Sequence, residues 1–204
     1  MIIIGLTGGI GTGKSTASAF LSNWGAVVLD VDSIGHQAYK KGTELYKHLI
    51  TTFGTGIVGS GGNISRSKLA EIVFSDKNLL KTLNSMVHPH IRKYIENTID
   101  KLDKQKTKMV VIDAAILLEA GWHDLVDEIW VVTAERKTVY QRLSNKFKNN
   151  IDSARKRVEA QMPQAQLVNE ADVIIDNEGS SAALKKRINV LFNERIDLAR
   201  EINN

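Results

Sequence analysis

Four closely spaced glycines near the start of the sequence are followed directly by a lysine and two hydroxyl residues. The segment reads Gly8-Gly-Ile-Gly-Thr-Gly-Lys-Ser15, with Thr16 next in the chain. It matches the phosphate-binding loop G-x-x-x-x-G-K-[ST] in full. Glycines let the backbone turn with positive φ and let a ligand approach closely, so that the loop amides can point at an anion. The residues expected to bind that anion are Gly8, Gly9, Ile10, Gly11, Thr12, Gly13, Lys14, Ser15 and Thr16.

The polar side chains of this loop suit a nucleoside triphosphate. Lys14 can reach the β- and γ-phosphates, and the Ser15 hydroxyl is placed to ligate Mg²⁺. An accidental glycine turn is the alternative, but a chance match in a chain of this length has a probability on the order of one in a hundred. An apolar segment precedes the loop and a helical pattern follows it, which is the required setting. We therefore predict a site for a nucleoside triphosphate with Mg²⁺.

Two carboxylates, Asp30 and Asp32, follow the second apolar segment of the chain. Alternation along an extended chain puts both side chains on one side, past the carboxyl end of the strand, where ligands of parallel sheets bind. A kinase of a small molecule needs a carboxylate here to accept the proton of the acceptor hydroxyl. Asp32 is our candidate base, with Asp30 as the second choice. The alternative is that Asp32 or Ser33 caps the next helix.

Basic residues crowd the segment that follows the fourth apolar segment. Arg142 and Lys146 share a helix face at i, i+4 spacing, and Lys148, Arg155, Lys156 and Arg157 follow them. Mobile cations of this kind could close over a transferring phosphoryl group as a lid. The alternatives are a solvated surface and a nucleic-acid-binding patch. Phe147 is the only aromatic residue within the cluster, which argues against nucleic acid.

The elements that must position these groups alternate between short apolar strands and helical patterns. We predict strands at Met1–Leu6, Ala26–Asp30, Met109–Asp113, Glu128–Thr133 and Asp172–Asp176. Helical periodicity is present at Lys14–Asn23, Ser33–Lys40, Glu44–Phe53, Arg66–Phe74, Asp76–Met86, Pro89–Asp103, Glu135–Phe147, Asp152–Gln161 and Ser181–Ile202. This order predicts an α/β fold with a doubly wound, five-stranded parallel sheet, because buried parallel strands read as near-continuous Ile- and Val-rich runs.

The chain length fits a single domain. We predict one phosphate-loop kinase domain over 1–204, with its core at about 1–40 and 106–204, a helical substrate-binding insert at about 41–105 and a helical lid at about 140–163. Within the insert, the Gly-rich stretch Thr55–Gly62 predicts a turn.

Composition excludes several classes of function. The 204 residues carry a net charge of +4 and no cysteine, so disulfides, thiolate zinc sites and cysteine nucleophiles are excluded. The mild positive charge permits an anionic small molecule without identifying it. No apolar run approaches the ~20 residues of a membrane helix, and no targeting signal is apparent. We expect a cytoplasmic protein with no membrane partner.

Seven segments, in the right order, resemble the dephospho-coenzyme A kinase family almost from end to end. They are GLTGGIGTGKST, with Thr7 before the loop; VLDVDSIGHQ, with Asp32; GGNISRSKLAEIVF, with Arg66; VHPHI, with His88; DAAILLEAG, leading to Leu118 and Glu119; RKRVEAQMP, with Arg157 and Gln161; and ADVIIDNEG, with Asn177 and Gly179. The family often has V-P-L-L where this chain has Ala115-Ile116-Leu117. Its lid usually has an Arg followed by an acidic residue where this chain has Lys146-Phe147, so we expect lid chemistry to rest on Arg142.

The resemblance implies that ATP phosphorylates the ribose 3′-hydroxyl of dephospho-coenzyme A (dephospho-CoA), the last step of coenzyme A synthesis. It implies that the insert binds the acceptor and that the loop after the last strand binds adenine. The expected catalytic residues are Thr7, Lys14, Asp32 and Arg142. Beyond the phosphate loop, Arg142, Lys146, Asn177 and Gly179 are expected to bind the nucleotide. The expected acceptor-binding residues are Asp32, Arg66, His88, Leu118, Glu119, Arg157 and Gln161.

The residues by themselves leave two other functions open. A phosphate-loop kinase could act on another small hydroxyl acceptor, such as a nucleoside, a nucleotide or a sugar. A nucleic-acid-binding nucleoside triphosphatase is the more distant alternative, because it would depend on the basic cluster alone. We expect a monomer, with oligomers left open.

Overall fold

A five-stranded sheet forms the centre of the fold in the computed structural model, which describes residues 1–146, 155, 158–159 and 161–201. The strands are β1 (Ile2–Thr7), β2 (Val27–Asp30), β3 (Met109–Asp113), β4 (Glu128–Thr133) and β5 (Val173–Asp176). Every pairing is parallel, and the strand order is β2-β3-β1-β4-β5. The predicted doubly wound parallel sheet is confirmed, with strand ends within one residue of the predicted ones.

The strands are apolar along their whole length because helices cover the sheet on both faces. On one face, Ile4, Val111 and Trp130 form a core with the helices α1 (Lys14–Asn23) and α8 (Ser181–Glu201). The same strands bury the side chains between these positions, so that all of Val110, Val111 and Ile112 are 0% exposed. Burial on both faces accounts for the near-continuous runs of Ile and Val in the sequence.

The chain divides into two units, which are described separately. Unit 1 comprises Met1–Asp30 and Ile99–Asn204, and unit 2 comprises Val31–Thr98. Besides α1 and α8, the helices of unit 1 include α6 (Arg136–Lys146), α7 (Gln164–Asn169) and a 3₁₀ helix at Trp122–Leu125. Most of the predicted Asp152–Gln161 helix lies outside the described residues. The predicted division into core, insert and lid stays a prediction.

Unit 2 is helical. Its helices are α2 (Val31–Ala38), α3 (Glu44–Phe53), a 3₁₀ helix at Thr55–Ile57, α4 (Arg66–Ser75) and most of α5 (Lys77–Lys104). Thr43 caps α3 by accepting a hydrogen bond of 3.1 Å from the Tyr46 amide. The Gly-rich stretch predicted as a turn begins with the 3₁₀ helix and continues as a turn closed by the bridge between Val58 and Ile64.

The prediction of two helices separated at His88-Pro89 is wrong. A single 28-residue helix, α5, contains Pro89 in its interior. Proline removes one hydrogen bond from a helix, since it has no N–H to donate to the carbonyl four residues earlier. The helix continues through this defect because Val87, Ile91 and Ile95 bury its apolar side on both sides of the proline.

Across the described residues, no helix is both long enough and apolar enough to cross a membrane.

Because Pro89 is exposed and lies inside a continuous helix, Pro89→Ala should stabilise the protein. The substitution restores the missing N–H donor and removes the clash of the ring, which we expect to raise the free energy of unfolding by about 1–3 kcal/mol. Urea unfolding followed by circular dichroism measures the change. Lys93→Ala, an exposed substitution in the same helix, is the control and should have little effect. Lower stability of Pro89→Ala would mean that the proline supports the native helix.

Candidate active site

The phosphate loop connects the end of β1 to the start of α1. Its turn is closed at Thr12, whose amide and hydroxyl both donate to the Gly9 carbonyl, at 3.2 and 2.8 Å. Helix α1 starts at Lys14 with no side-chain cap and no acidic residue in its first turn. The first N–H groups of a helix have no intrahelical acceptor, and the helix dipole adds positive potential there. The start of α1 therefore suits an anion such as a phosphate.

Only glycine fits at position 13, directly before α1. Its φ of 101° lies in the left-handed region, and a Cβ atom built on it would overlap the side-chain amide of Asn177. That amide donates a 2.6 Å hydrogen bond to the Thr12 carbonyl, and Asn177 is only 6% exposed. A larger residue at position 13 would both strain the backbone and displace Asn177.

Arg142 on α6 holds the same part of the loop. Its guanidinium donates to the carbonyls of Gly11 and Thr12, at 3.3 and 3.2 Å, and to the Asn177 carbonyl at 2.7 Å. The side chain predicted as a mobile lid cation thus supports the phosphate loop and the loop after β5 together. Its catalytic role stays a prediction.

Gln161 also contacts the phosphate loop. Its side-chain oxygen accepts a 2.7 Å hydrogen bond from the Ile10 amide. The resemblance implied acceptor binding for Gln161. No local pattern predicted this contact, because it joins residues 151 positions apart. A cavity of about 330 Å³ lies beside the loop, and its lining includes Gly9, Ile10 and Gln161.

Lys14 forms an ion pair with Asp113, the last residue of β3. The two side chains are 13% and 10% exposed, so the pair is largely shielded from water. In such surroundings, removing one partner leaves an uncompensated charge at a cost of about 3–5 kcal/mol. Asp113 was not selected as a site residue from the sequence. The parallel pairing of β1 and β3 places Asp113 beside Leu6, two residues before the loop. A prediction of this strand register would therefore have identified Asp113.

Two carboxylates of unit 1 lie side by side at the carboxyl edge of the sheet. The register pairs Asp30 at the end of β2 with Asp113 at the end of β3. Asp32 is the exposed second residue of α2, so it does not occupy the capping position before the helix. The Thr7 side chain is fully buried, and its hydroxyl donates to the Ala115 carbonyl at 3.4 Å. Catalytic roles for Asp32 and Thr7 stay predictions.

Oxygen ligands suitable for Mg²⁺ are present in unit 1. The Ser15 hydroxyl is exposed in the first turn of α1, and Asp113 supplies a carboxylate at the neighbouring strand end. Hydroxyl and carboxylate oxygens are ligands that Mg²⁺ prefers, together with waters and substrate phosphates. No group of three or more His, Cys, Asp or Glu side chains is placed to hold a metal in the described part of the chain.

The remaining predicted site residues lie in different places. In unit 2, Arg66 is exposed at the start of α4, and burial lowers the pKa of His88 on α5. In unit 1, Leu118 lines a cavity of about 400 Å³ and Glu119 is exposed. Exposed Thr16 follows Ser15 in α1, and Gly179 lies in the loop between β5 and α8. Arg157 and the side chain of Lys146 lie outside the described residues.

Glu178, next to Asn177, caps the start of α6. Its carboxylate accepts hydrogen bonds from the Glu135 amide and, at 2.7 Å, from the Thr138 hydroxyl. The bond from the Glu135 amide contributes most to lowering the pKa of Glu178, followed by the bond from Thr138 and then the positive charge of Arg142. The loop after β5 therefore fixes both α6, through Glu178, and the phosphate loop, through Asn177.

The Glu178 contacts predict a pH-dependent stability. Since the pKa is lower in the folded state, the ionised carboxylate stabilises the fold above the unfolded-state pKa of about 4.3, and this contribution is lost as the pH falls through the lowered value. Thermal unfolding should show Glu178→Gln to be less stable than the unsubstituted protein at pH 7, with the difference shrinking below about pH 4. Glu71→Gln, at an exposed position of α4, is the control. A difference that stays constant with pH would contradict the assignment.

Asn177→Asp tests the support of the phosphate loop. The substitution replaces the amide donor with a carboxylate oxygen that faces the Thr12 carbonyl, so we expect the dissociation constant for MgATP to rise about tenfold or more. Isothermal titration calorimetry measures the constant. The matched control is Asn193→Asp at an exposed position of α8, which should bind MgATP normally. Unchanged affinity in Asn177→Asp would show that the loop does not depend on this contact.

Comparison with known proteins agrees with this geometry. The family model described as "CoaE: Dephospho-CoA kinase" matches residues 2–183. The dephospho-CoA kinase of Geobacter sulfurreducens is 38% identical over 96% of this chain and 99% of its own length, and that of Carboxydothermus hydrogenoformans is 40% identical over 91% and 90%. The crystal structure of TT1252 from Thermus thermophilus superposes with a TM-score of 0.80 at 31% identity, over 95% of this chain and 97% of that one. The chain therefore belongs to the dephospho-CoA kinase family.

Proposed function

We propose that this chain transfers the γ-phosphoryl group of ATP to the ribose 3′-hydroxyl of dephospho-CoA, which gives coenzyme A and ADP. Membership of the dephospho-CoA kinase family supports this overall reaction, which is the final step of coenzyme A biosynthesis. The observation that supports the nucleotide site most strongly is the complete phosphate loop, which ends at an uncapped helix with Lys14 in its first turn. The cytoplasmic location expected from the sequence stays a prediction.

In the proposed mechanism, the first amides of α1 and the Lys14 ammonium bind the phosphates of ATP. Lys14 leaves Asp113 for the phosphate oxygens, so a negatively charged partner is present for Lys14 before and after ATP binds. This exchange avoids the cost of an unpaired shielded ammonium. Arg142 and Asn177 keep the loop in the required conformation through its carbonyls.

Ser15 would hold Mg²⁺, with Asp113 as a further carboxylate close to the loop. A bound Mg²⁺ neutralises charge on the phosphates and fixes their orientation. The protein's other contributions are positional, because phosphoryl transfer needs the acceptor oxygen in line with the leaving group and little covalent chemistry from the enzyme.

Asp32 is the proposed base that orients the 3′-hydroxyl and accepts its proton. Its exposed carboxylate follows the end of β2 by two residues in the chain, and ligands of parallel sheets bind beyond the carboxyl ends of the strands. Asp30 is the alternative base. We retain Asp32 because Asp30 immediately precedes α2 and is therefore at the position of a helix cap.

A kinase assay tests the function and the base together. The protein incubated with MgATP and dephospho-CoA should add one phosphoryl group to the acceptor, detected by mass spectrometry. Asp32→Asn should lower kcat by about 10²-fold or more, the usual contribution of a general base, while calorimetry should show nearly normal ATP affinity. Asp30→Asn is the comparison and should retain most of the activity.

Two controls separate the parts of this proposal. Lys14→Ala should prevent ATP use, and nucleosides or sugars offered in place of dephospho-CoA should remain unmodified. Phosphorylation of one of those compounds instead of dephospho-CoA would overturn the acceptor. Normal turnover by Asp32→Asn, with loss of turnover in Asp30→Asn, would move the base to Asp30.

A further inference from the structure

A cationic cavity lies within unit 2, between the end of α2 and the start of α4. Its volume is about 320 Å³, at the lower end of the ~300–1,000 Å³ range typical of small-molecule sites. The residues that line it are His36, Tyr39, Lys40, Asn63, Ile64 and Arg66. Lys40 and Arg66 are positively charged, and none of these six described lining residues carries a carboxylate. The cavity therefore suits an anion with more than one negative charge.

Hydrogen bonds to backbone carbonyls fix one wall of this cavity. The turn before α4 is closed by the Gly59 amide, which donates to the Asn63 carbonyl at 2.9 Å. The Tyr46 hydroxyl on α3 donates to the Gly62 carbonyl at 2.6 Å, and the Ser65 amide donates to the Ile57 carbonyl at 2.8 Å. The segment that presents Asn63 and Arg66 is thus held in place before any ligand binds.

The other wall carries polar rings. His36 Nδ1 lies 2.8 Å from the Tyr39 hydroxyl, within hydrogen-bond distance, and both residues are half-buried. Burial raises the pKa of Tyr39, and the positive charge of Arg66 opposes that rise. Together with the Asn63 amide, these groups can donate hydrogen bonds to phosphate oxygens.

The position of the cavity along α2 connects it to the proposed base. His36 follows Asp32 at i+4, so the two side chains share a helix face about one turn, or about 5.4 Å, apart. In dephospho-CoA, the ribose carries the reactive 3′-hydroxyl and, through its C5′ carbon, the diphosphate. A single acceptor molecule therefore presents these two groups at a separation similar to one helical turn.

We propose that this cavity binds the diphosphate of dephospho-CoA, with Lys40 and Arg66 as its cations, while the ribose 3′-hydroxyl of the same molecule extends toward Asp32. The inference rests on the proposed function and names the acceptor group that this part of unit 2 recognises. The resemblance implied that Arg66 binds the acceptor, and the proposal specifies the diphosphate as the group that Arg66 binds. An acceptor without a phosphate, such as a free nucleoside or a sugar, would have no anionic group to pair with Lys40 and Arg66.

Charge substitutions at Lys40 test the proposal. Lys40 is exposed just after α2, so its replacement should leave the fold intact, which thermal unfolding checks. Lys40→Ala should raise the KM for dephospho-CoA about tenfold, Lys40→Glu should raise it further, and Lys40→Arg should stay near the unsubstituted value. The KM for ATP should remain unchanged in all three variants. Calorimetric titration with dephospho-CoA in the absence of ATP should follow the same order.

Lys47→Ala is the matched control, because it removes an exposed lysine of unit 2 that does not line the cavity. This variant should keep a normal KM for dephospho-CoA. If Lys40→Glu leaves that KM within twofold, or if the KM for ATP rises equally, the diphosphate assignment is wrong although the kinase function stands. If the unsubstituted protein does not phosphorylate dephospho-CoA, the proposed function itself fails.

Discussion

The conformation of the phosphate loop before α1 is the constraint on which the proposed polyphosphate site depends. Gly13 has a left-handed backbone, and the first amides of the helix must remain open to a ligand. Contacts from distant parts of the chain compensate for this. Asn177 and Arg142 bind the loop carbonyls, and Gln161 binds the Ile10 amide. Asn177 and Arg142 thus hold the loop through carbonyls that a phosphate does not need, whereas Gln161 occupies the Ile10 amide.

The ion pair between Lys14 and Asp113 adds an electrostatic constraint. The parallel sheet places the end of β3 next to β1, so that a carboxylate lies close to the loop lysine. A largely shielded ammonium requires a negative partner at all times. The phosphates of the nucleotide can supply that charge during the reaction, and Asp113 supplies it otherwise. We therefore include Asp113, which was not selected from the sequence, in the proposed nucleotide site.

Local sequence patterns were sufficient to predict the sheet and the phosphate loop. Buried parallel strands and the glycine loop each have a signature within a few residues, and both were placed within one residue. The continuous helix α5 was missed because Pro89 normally indicates a boundary, whereas burial of Val87 and Ile91 on either side of it maintains the helix.

The contacts between Gln161 and Ile10 and between Glu178 and α6 were not predictable either. They join residues far apart in sequence, and nothing in either local segment specifies its partner. The resemblance identified Gln161 and Asn177 as important positions. Only the three-dimensional contacts show that both side chains bind the phosphate loop itself.

The most direct test of the account is a crystal structure of the protein with Mg²⁺ and a non-hydrolysable ATP analogue. We expect the β-phosphate to lie against the first amides of α1, with the Lys14 ammonium bonded to phosphate oxygens in place of the Asp113 carboxylate. An analogue bound away from the Gly8–Ser15 loop, with the ion pair between Lys14 and Asp113 intact, would contradict it.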